Sequence, residues 1–356
     1  MRKLLLTSTA LVAAATIAGS AVAEVSSSIS GKYIFTYGSY DSGITNTGAS
    51  GDEFYNIGLI NFSFTNKTDS GLEIGMHSVL EFKGTQNSDS DTHRIDEHHL
   101  KIKGGFGTIQ LGSDDGIGDQ LTRSASDLIG KDALNSGELT SFHPGATANW
   151  AGNQNTSNPL LDDNADLPSG DVDDEANITY ILPTMGGLTA GVTYRDGGKG
   201  TSENDDITEI AAKYDFSSGD VNGSLHFGSA TTDSTTVGGT STDRQSIGID
   251  LSMGPIRAVF AQAEGDTAAT VKTEIKDYGI QYNLGNGLTL AAVQTEVDEP
   301  GGDGETLDVT TVSATYNITS GLDAYLTYHD YDYENGTSGG TDDDGSATLI
   351  SIVASF

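Results

Sequence analysis

The sequence predicts an all-β fold: a 16-stranded antiparallel transmembrane β-barrel with an inward-folded long third loop. Three observations predict it. Sixteen segments alternate apolar and polar residues between clusters of turn residues. Their connections switch between tight turns and longer Gly-, Asp- and Thr-rich stretches, which would place short turns on one rim and long loops on the other. One connection, 113–175, stays polar, acidic and aperiodic for roughly 60 residues, and a stretch of that length inside a domain has to be functional or have somewhere special to go.

The chain divides into two parts. Residues 1–23 read as a signal peptide: Arg2 and Lys3 form a charged head, an apolar run follows from Leu4, and Ala21-Val22-Ala23 is a small-residue cleavage site. The run falls short of the ~20 residues of a spanning helix. Residues 24–356 read as the barrel, with 113–175 its constriction loop. After Ala23 no stretch is apolar enough for a membrane helix. An exported chain of this kind is then either soluble or a closed barrel, because only helices and closed barrels satisfy every backbone group in lipid.

The strands are expected in this order. Segment 28–40 puts Ile29, Gly31, Tyr33, Phe35 and Tyr37 on one face, and segment 53–65 aligns Ile60, Phe62 and Phe64. Segment 71–84 carries the cleanest alternation, Leu72, Ile74, Met76, Leu80 and Phe82 against Glu73, His77, Glu81 and Lys83. Segment 93–104 sets Leu100 and Ile102 against His99 and Lys101, and 106–112 is a short strand leading into the long loop. Beyond it a hairpin, 176–182 and 187–195, turns at Pro183; Leu188, Ala190, Val192 and Tyr194 face away from Thr189, Thr193 and Arg195. The remaining strands are 207–216, 221–230, 244–253, 255–264, 274–284, 288–297, 307–318, 322–333 and 346–356. Long loops are expected at 41–52, 85–92, 196–206, 231–243, 265–273, 298–306 and 334–345. Tyr33, Tyr37, Phe54, Tyr55, Tyr278, Tyr282, Tyr325, Tyr328 and Tyr331 fall near strand ends, as interfacial girdles require. A soluble sandwich or β-helix would account for the alternation but not for the two loop lengths, the leader and the ring placement together.

Composition narrows the function. With no cysteine there is no disulfide framework, thiol nucleophile or thiolate metal site. Apolar residues make up 35%, low for a soluble chain of this size but natural for a barrel with a polar inner face. The net charge is −34, and two units more negative without Arg2 and Lys3, which excludes nucleic acid as a partner.

Two segments carry a family resemblance. Gly105-Phe-Gly-Thr-Ile-Gln-Leu-Gly-Ser-Asp-Asp-Gly116 resembles the porin strand that leads into the constriction loop. Asn177-Ile-Thr-Tyr-Ile-Leu-Pro-Thr-Met-Gly-Gly-Leu-Thr-Ala-Gly-Val-Thr-Tyr194 resembles the hairpin of the same family. With the terminal Phe356 after alternating apolar residues, the chain resembles a Gram-negative general porin of the alphaproteobacterial, Rhodobacter-like type. The resemblance implies a homotrimer in the outer membrane, among its lipid and lipopolysaccharide, passing small hydrophilic solutes passively. It also implies an eyelet in which loop acids face a basic cluster on the wall, sorting solutes by size and charge.

The loop acids available for that eyelet are Asp114, Asp115, Asp119, Asp127, Asp132 and Glu138. Parity with the apolar face directs Lys32, His77, Lys83, His99, Lys101 and Arg195 to the basic wall, and Lys213 and Arg257 inward further along. Arginine is scarcer than the family's basic cluster requires, and 51 acidic residues face 17 Lys and Arg, so a cation-selective pore is expected. Histidines on the lumen would make conductance sensitive to pH. The later loop carries Asp162, Asp163, Asp166, Asp171, Asp173, Asp174 and Glu175; clustered oxygens of this kind suit calcium. Their spacing is not that of an EF-hand, and a solvated acidic loop is the preferred reading. No cofactor is required.

The alternative function is a substrate-specific channel for a sugar or phosphate, which would need an aromatic slide or a file of arginines; Trp150 is the lone tryptophan. A barrel enzyme would need a positioned base and nucleophile. Histidine and serine are present, but no nucleophile-elbow motif is, and the chain is read as not an enzyme.

Overall fold

Alternation at period two sends successive side chains to opposite faces. A sheet with an apolar outer face and no partner layer can hide its edges only by closing on itself. The computed structural model describes residues 24–42, 50–85, 92–129, 176–197, 206–234, 241–268, 271–298, 304, 306–334, 336 and 342–356. Within them sixteen strands form one closed barrel in sequence order. They are β1 (Glu24–Ser42), β2 (Ser50–Lys67), β3 (Glu73–Thr85), β4 (Thr92–Gly104), β5 (Gly107–Ser113), β6 (Ala176–Ile181), β7 (Leu188–Arg195) and β8 (Asp206–Ser218). The second half comprises β9 (Val221–Asp233), β10 (Thr242–Met253), β11 (Ile256–Ala268), β12 (Val271–Gly285), β13 (Leu288–Asp298), β14 (Thr306–Thr319), β15 (Leu322–Glu334) and β16 (Asp343–Ser355). Every neighbouring pair is antiparallel.

The seam joins β1 to β16, where Gly31 and Phe356 exchange two backbone hydrogen bonds of 3.2 and 2.8 Å. Inside the wall, the Thr36 and Ser351 hydroxyls meet at 2.8 Å across the same seam. Tight turns at 68–72, 105–106, 182–187, 219–220, 254–255, 286–287 and 320–321 share the rim that holds this seam end; call it the turn rim. Among the described residues no helix is long and apolar enough to cross a membrane, and strands make the crossing.

The outer face carries Ile29, Phe35, Met76, Ile178, Ile210, Ile247, Ile280, Leu326 and Ile350, all exposed. Two expectations need correction. Tyr55 and Tyr331 are 2% and 4% exposed and point into the barrel, so they belong to no outer girdle. Tyr325 likewise lies on the inner side, against a buried cluster, whereas Tyr33, Phe54, Tyr278, Tyr282 and Tyr328 do face outward. The stretch 265–273 is not a long loop either: β11 and β12 pair up to Ala268 and Val271, with a register shift between Asp266 and Ala268. Ladder hydrogen bonds override the turn-like composition there.

The wall is lowest at β5, β6 and β7, which are 7, 6 and 8 residues long. That is where the chain leaves the sheet for the interior. It forms one helical turn, α1 (Ile117–Leu121), and one 3-10 turn (Ala125–Leu128).

Candidate functional site

A loop that folds into a barrel takes its backbone polar groups away from water, and each needs a partner. The inner wall supplies them in sequence. The Asn177 amide donates to the Asp114 carbonyl at 2.5 Å. The Ile117 amide donates to the Thr193 hydroxyl on β7 at 2.8 Å, and the Gly118 amide to Glu209 Oε2 on β8 at 3.1 Å. Further along, the Ala125 amide donates to Asp277 Oδ2 on β12 at 2.8 Å. Gln281 then donates to the Leu128 carbonyl at 2.8 Å, and Ser313 on β14 to the Ile129 carbonyl at 3.4 Å. Residues 114–129 thus run along the inside of the wall from β5 to β14. Glu209 and Asp277 are 0% and 3% exposed. Leaving either buried donor without its acceptor would cost ~1–3 kcal/mol.

Apolar contact does the rest. Ile117 and Leu121 pack with Ala211, and Ala125, Leu128 and Ile129 join an inner cluster with Val259, Ala291, Val293, Leu349 and Val353. The inner face is therefore mixed where the loop lies on it, and among the described residues a second apolar cluster of Val297, Leu307, Val309, Tyr331 and Tyr333 stands on the same face without the loop. Two glycines make the close approach feasible. A Cβ on Gly191 would come within 2.7 Å of Ile117, and one on Gly279 within 2.9 Å of Leu128.

The predicted site residues fall into separate places. Asp114 is buried, accepts from the Gln110 side chain at 2.5 Å, and lies 3.1 Å from His99 Nδ1. That second contact has ion-pair distance without hydrogen-bond alignment. His77 stands beside His99, ring centroids 5.5 Å apart, with Ser63 Oγ 2.9 Å from its Nδ1 and Glu97 3.8 Å from its Nε2. Lys101 lines the same recess of about 410 Å3. So Asp114, expected on the acidic side, and His99, expected on the basic side, are neighbours rather than opposites. Register explains it: His99 is opposite Gly112 on β5, two residues before Asp114.

Arg195 is 5% exposed, and the Glu209 it interacts with is buried under α1; it is a support beneath the loop rather than an open wall cation. Asp127 lies 3.7 Å from Arg123 on the loop itself. Asp115 and Asp119 are half-buried near the start of α1. Lys32 sits on β1 opposite Ser355 and Leu59, on the inward parity. Lys83 lies on β3 opposite Ile57 and Thr92, and its side chain is outside the described residues. Asp132, Glu138, Asp162, Asp163, Asp166, Asp171, Asp173, Asp174 and Glu175 also lie outside them. Among the described residues no group of three or more His, Asp or Glu side chains is placed to hold a metal ion.

A second recess, about 560 Å3, opens on the inner wall toward the turn rim, lined by Arg123, Lys213, Arg257, Asp215 and Asp250 among others. Arg257 grips Asp250 with Nε and Nη2, the shortest contact being 2.8 Å. Lys213 lies 3.3 Å from Asp215. Parity had turned Lys213 and Arg257 inward. The same parity turns Thr193 inward. Arg123, Glu209, Asp277 and Gln281 are not marked by the sequence, since no spacing shows the loop position that a wall residue will meet.

A closed sixteen-strand wall with a loop bound inside it decides the family question together with the sequence match. The profile of the family described as Gram-negative porin matches residues 7–336. The chain belongs to the Gram-negative porin family. Among solved structures, the anion-selective porin from Comamonas acidovorans is similar at 18% identity and a TM-score of 0.60, covering 94% of this chain and 100% of that one. A variant of the Rh. blastica porin gives 14% identity and 0.62, covering 93% and 100%. A loop-deleted OmpT of Vibrio cholerae gives 13% and 0.60, covering 93% and 99%. At these identities the likeness is one of fold. No curated protein matches the sequence. The protein is an outer-membrane porin, a barrel that crosses with strands.

Proposed function

We propose that this porin is a general diffusion channel for small hydrophilic solutes and ions, with a preference for cations. The observation that carries the reading is the loop at 114–129, bound along the inside of a closed wall, where it narrows the lumen without leaving the barrel. The cation preference rests on charge: 51 acidic residues against 17 Lys and Arg raise the local concentration of counter-ions in a water-filled channel. The anion selectivity named for the Comamonas porin belongs to that protein, at 18% identity. Export with loss of residues 1–23 and assembly as a homotrimer complete the proposal.

The test is electrical. Purified protein in a planar bilayer under a KCl gradient should give stepwise conductance and a reversal potential of cation sign. An anion-sign potential would overturn the selectivity, and the absence of steps would overturn the channel itself. The apparent mass on a native gel should drop from trimer to monomer on heating.

A further inference from the structure

The recess at the start of the loop holds a pair of histidines that a general pore does not require. His77 on β3 and His99 on β4 are directly opposed across the ladder. Residues paired in this way carry their side chains on one face of the sheet, within reach of each other. Here the face is the inner one, and the rings stand 5.5 Å apart between centroids, tilted by 39°. The recess they line, about 410 Å3, also takes in Ser63, Glu97, Lys101 and Asp114.

Each ring turns one nitrogen to an outer partner. Ser63 Oγ lies 2.9 Å from Nδ1 of His77, and Asp114 Oδ2 lies 3.1 Å from Nδ1 of His99. A hydrogen-bonding group on one imidazole nitrogen is what orients a metal-bound histidine and raises its basicity. The other nitrogen, Nε2, is then the ligand. Nε2 of His77 has Glu97 at 3.8 Å, too far for a hydrogen bond. His99 is 8% exposed and its Nδ1 has no aligned hydrogen bond, so a small rotation of the ring toward Asp114 satisfies a group otherwise buried without a partner.

The spacing suits one shared ion. An imidazole ligated at ~2.0–2.1 Å has its centre ~3.2 Å from the metal, so two rings on a tetrahedral ion stand ~5.2 Å apart. The observed 5.5 Å is close to that. Charge points the same way, because Glu97 and Asp114 outnumber Lys101 in the recess. Among the described residues no third ligand is placed with the pair, as a resident metal centre needs, and water completes the shell of an ion in transit.

We propose that His77 and His99 form a two-point resting site, on the lumen face beside the start of the loop, for a divalent transition-metal ion such as nickel, copper or zinc. The site rests on the channel reading above. It gives a cation-preferring lumen a distinction that charge alone does not make, since imidazole selects these ions over magnesium and calcium.

The experiment adds NiCl2 or MgCl2 to single channels in KCl at pH 7.5 and reads the blocked fraction of each channel's own current. Nickel should block in a concentration-dependent manner, reversibly with EDTA, at no more than a tenth of the magnesium concentration that has the same effect. His77→Gln and His99→Gln should each raise the half-blocking nickel concentration at least fivefold. His98→Gln, one position along β4 at an exposed site of the other parity, should leave it unchanged. Protonated imidazoles do not ligate, so at pH 5 the wild-type block should also weaken at least fivefold. Equal block by magnesium, a block unchanged by either substitution or by acid, or an equal loss in His98→Gln would overturn the site. Channels that conduct with cation preference and ignore nickel would sink the site alone; no conductance at all would sink the channel reading instead. Should the buried His99→Gln fail to fold, His77→Gln, at a half-buried position, decides the matter by itself.

Discussion

Glu209 shows how much a single side chain is asked to do. It is fully buried, holds the Gly118 amide and faces Arg195. Glu209→Ala leaves a buried amide without its acceptor, a cost of ~1–3 kcal/mol to the bound loop. The barrel closes through its own ladders, so the loss falls on the loop. Open-channel current noise should rise well above wild type while the unheated protein keeps its compact gel mobility; quiet channels in Glu209→Ala would refute the anchoring role. Glu209→Gln retains an acceptor oxygen and should stay near wild type. Nothing in the sequence around Thr208-Glu209-Ile210 distinguishes this carboxylate from others on the inward parity. Parity tells which side of the wall a residue faces, and both Arg195 and Lys213 were legible to that extent. It does not tell which inward residues lie under the loop, because that depends on a contact between positions 91 apart in the chain.

At the scale of elements, the start of the loop, residues 117–128, behaves as a short rod held at both ends. Glu209 fixes one end and Asp277 the other, with Ile117 and Leu128 seated beside them. Releasing one end leaves the rod tethered by the other. The double variant Glu209→Ala/Asp277→Ala should therefore raise current noise by more than the two single variants summed; simple additivity would mean that the ends act independently. Strand β3 is legible because its polar and apolar residues alternate over Glu73–His77 and Leu80–Lys83, with a break only at Ser78 and Val79, where the ladder to β4 shifts register. The β11–β12 hairpin is not, since its Gly265-Asp-Thr-Ala tip has turn composition while the ladder continues through it with a register shift. The inner apolar patch was missed for a related reason. Ile34, Ile57, Val259 and Val293 stand on the polar parity of their strands, and only the bound loop explains them.

For the whole molecule, charge is the dominant property. A net charge of −34 acts on permeating ions through water, so its reach follows the Debye length, ~10 Å at 0.1 M salt and ~3 Å at 1 M. The cation-to-anion permeability ratio should fall toward unity between 0.1 M and 1 M KCl. A ratio indifferent to salt would place selectivity in close contacts at the narrowest point rather than in the overall field.

The seam between β1 and β16 has one more consequence, for assembly. Thr36 and Ser351 touch across 315 positions of chain, and Gly31 pairs with Phe356. Loop-closure entropy must be met before such distant partners reward it, which makes closure slow. Until the last strand arrives, β1 offers a bare edge along Lys32–Ser42 on one side of the growing sheet, and the latest strand offers a second edge on the other. Unpaired edges template misassembly. An escort that keeps this chain soluble on its way to the membrane therefore has two edges to cover at once, and its task ends only when the final strand docks and both disappear together.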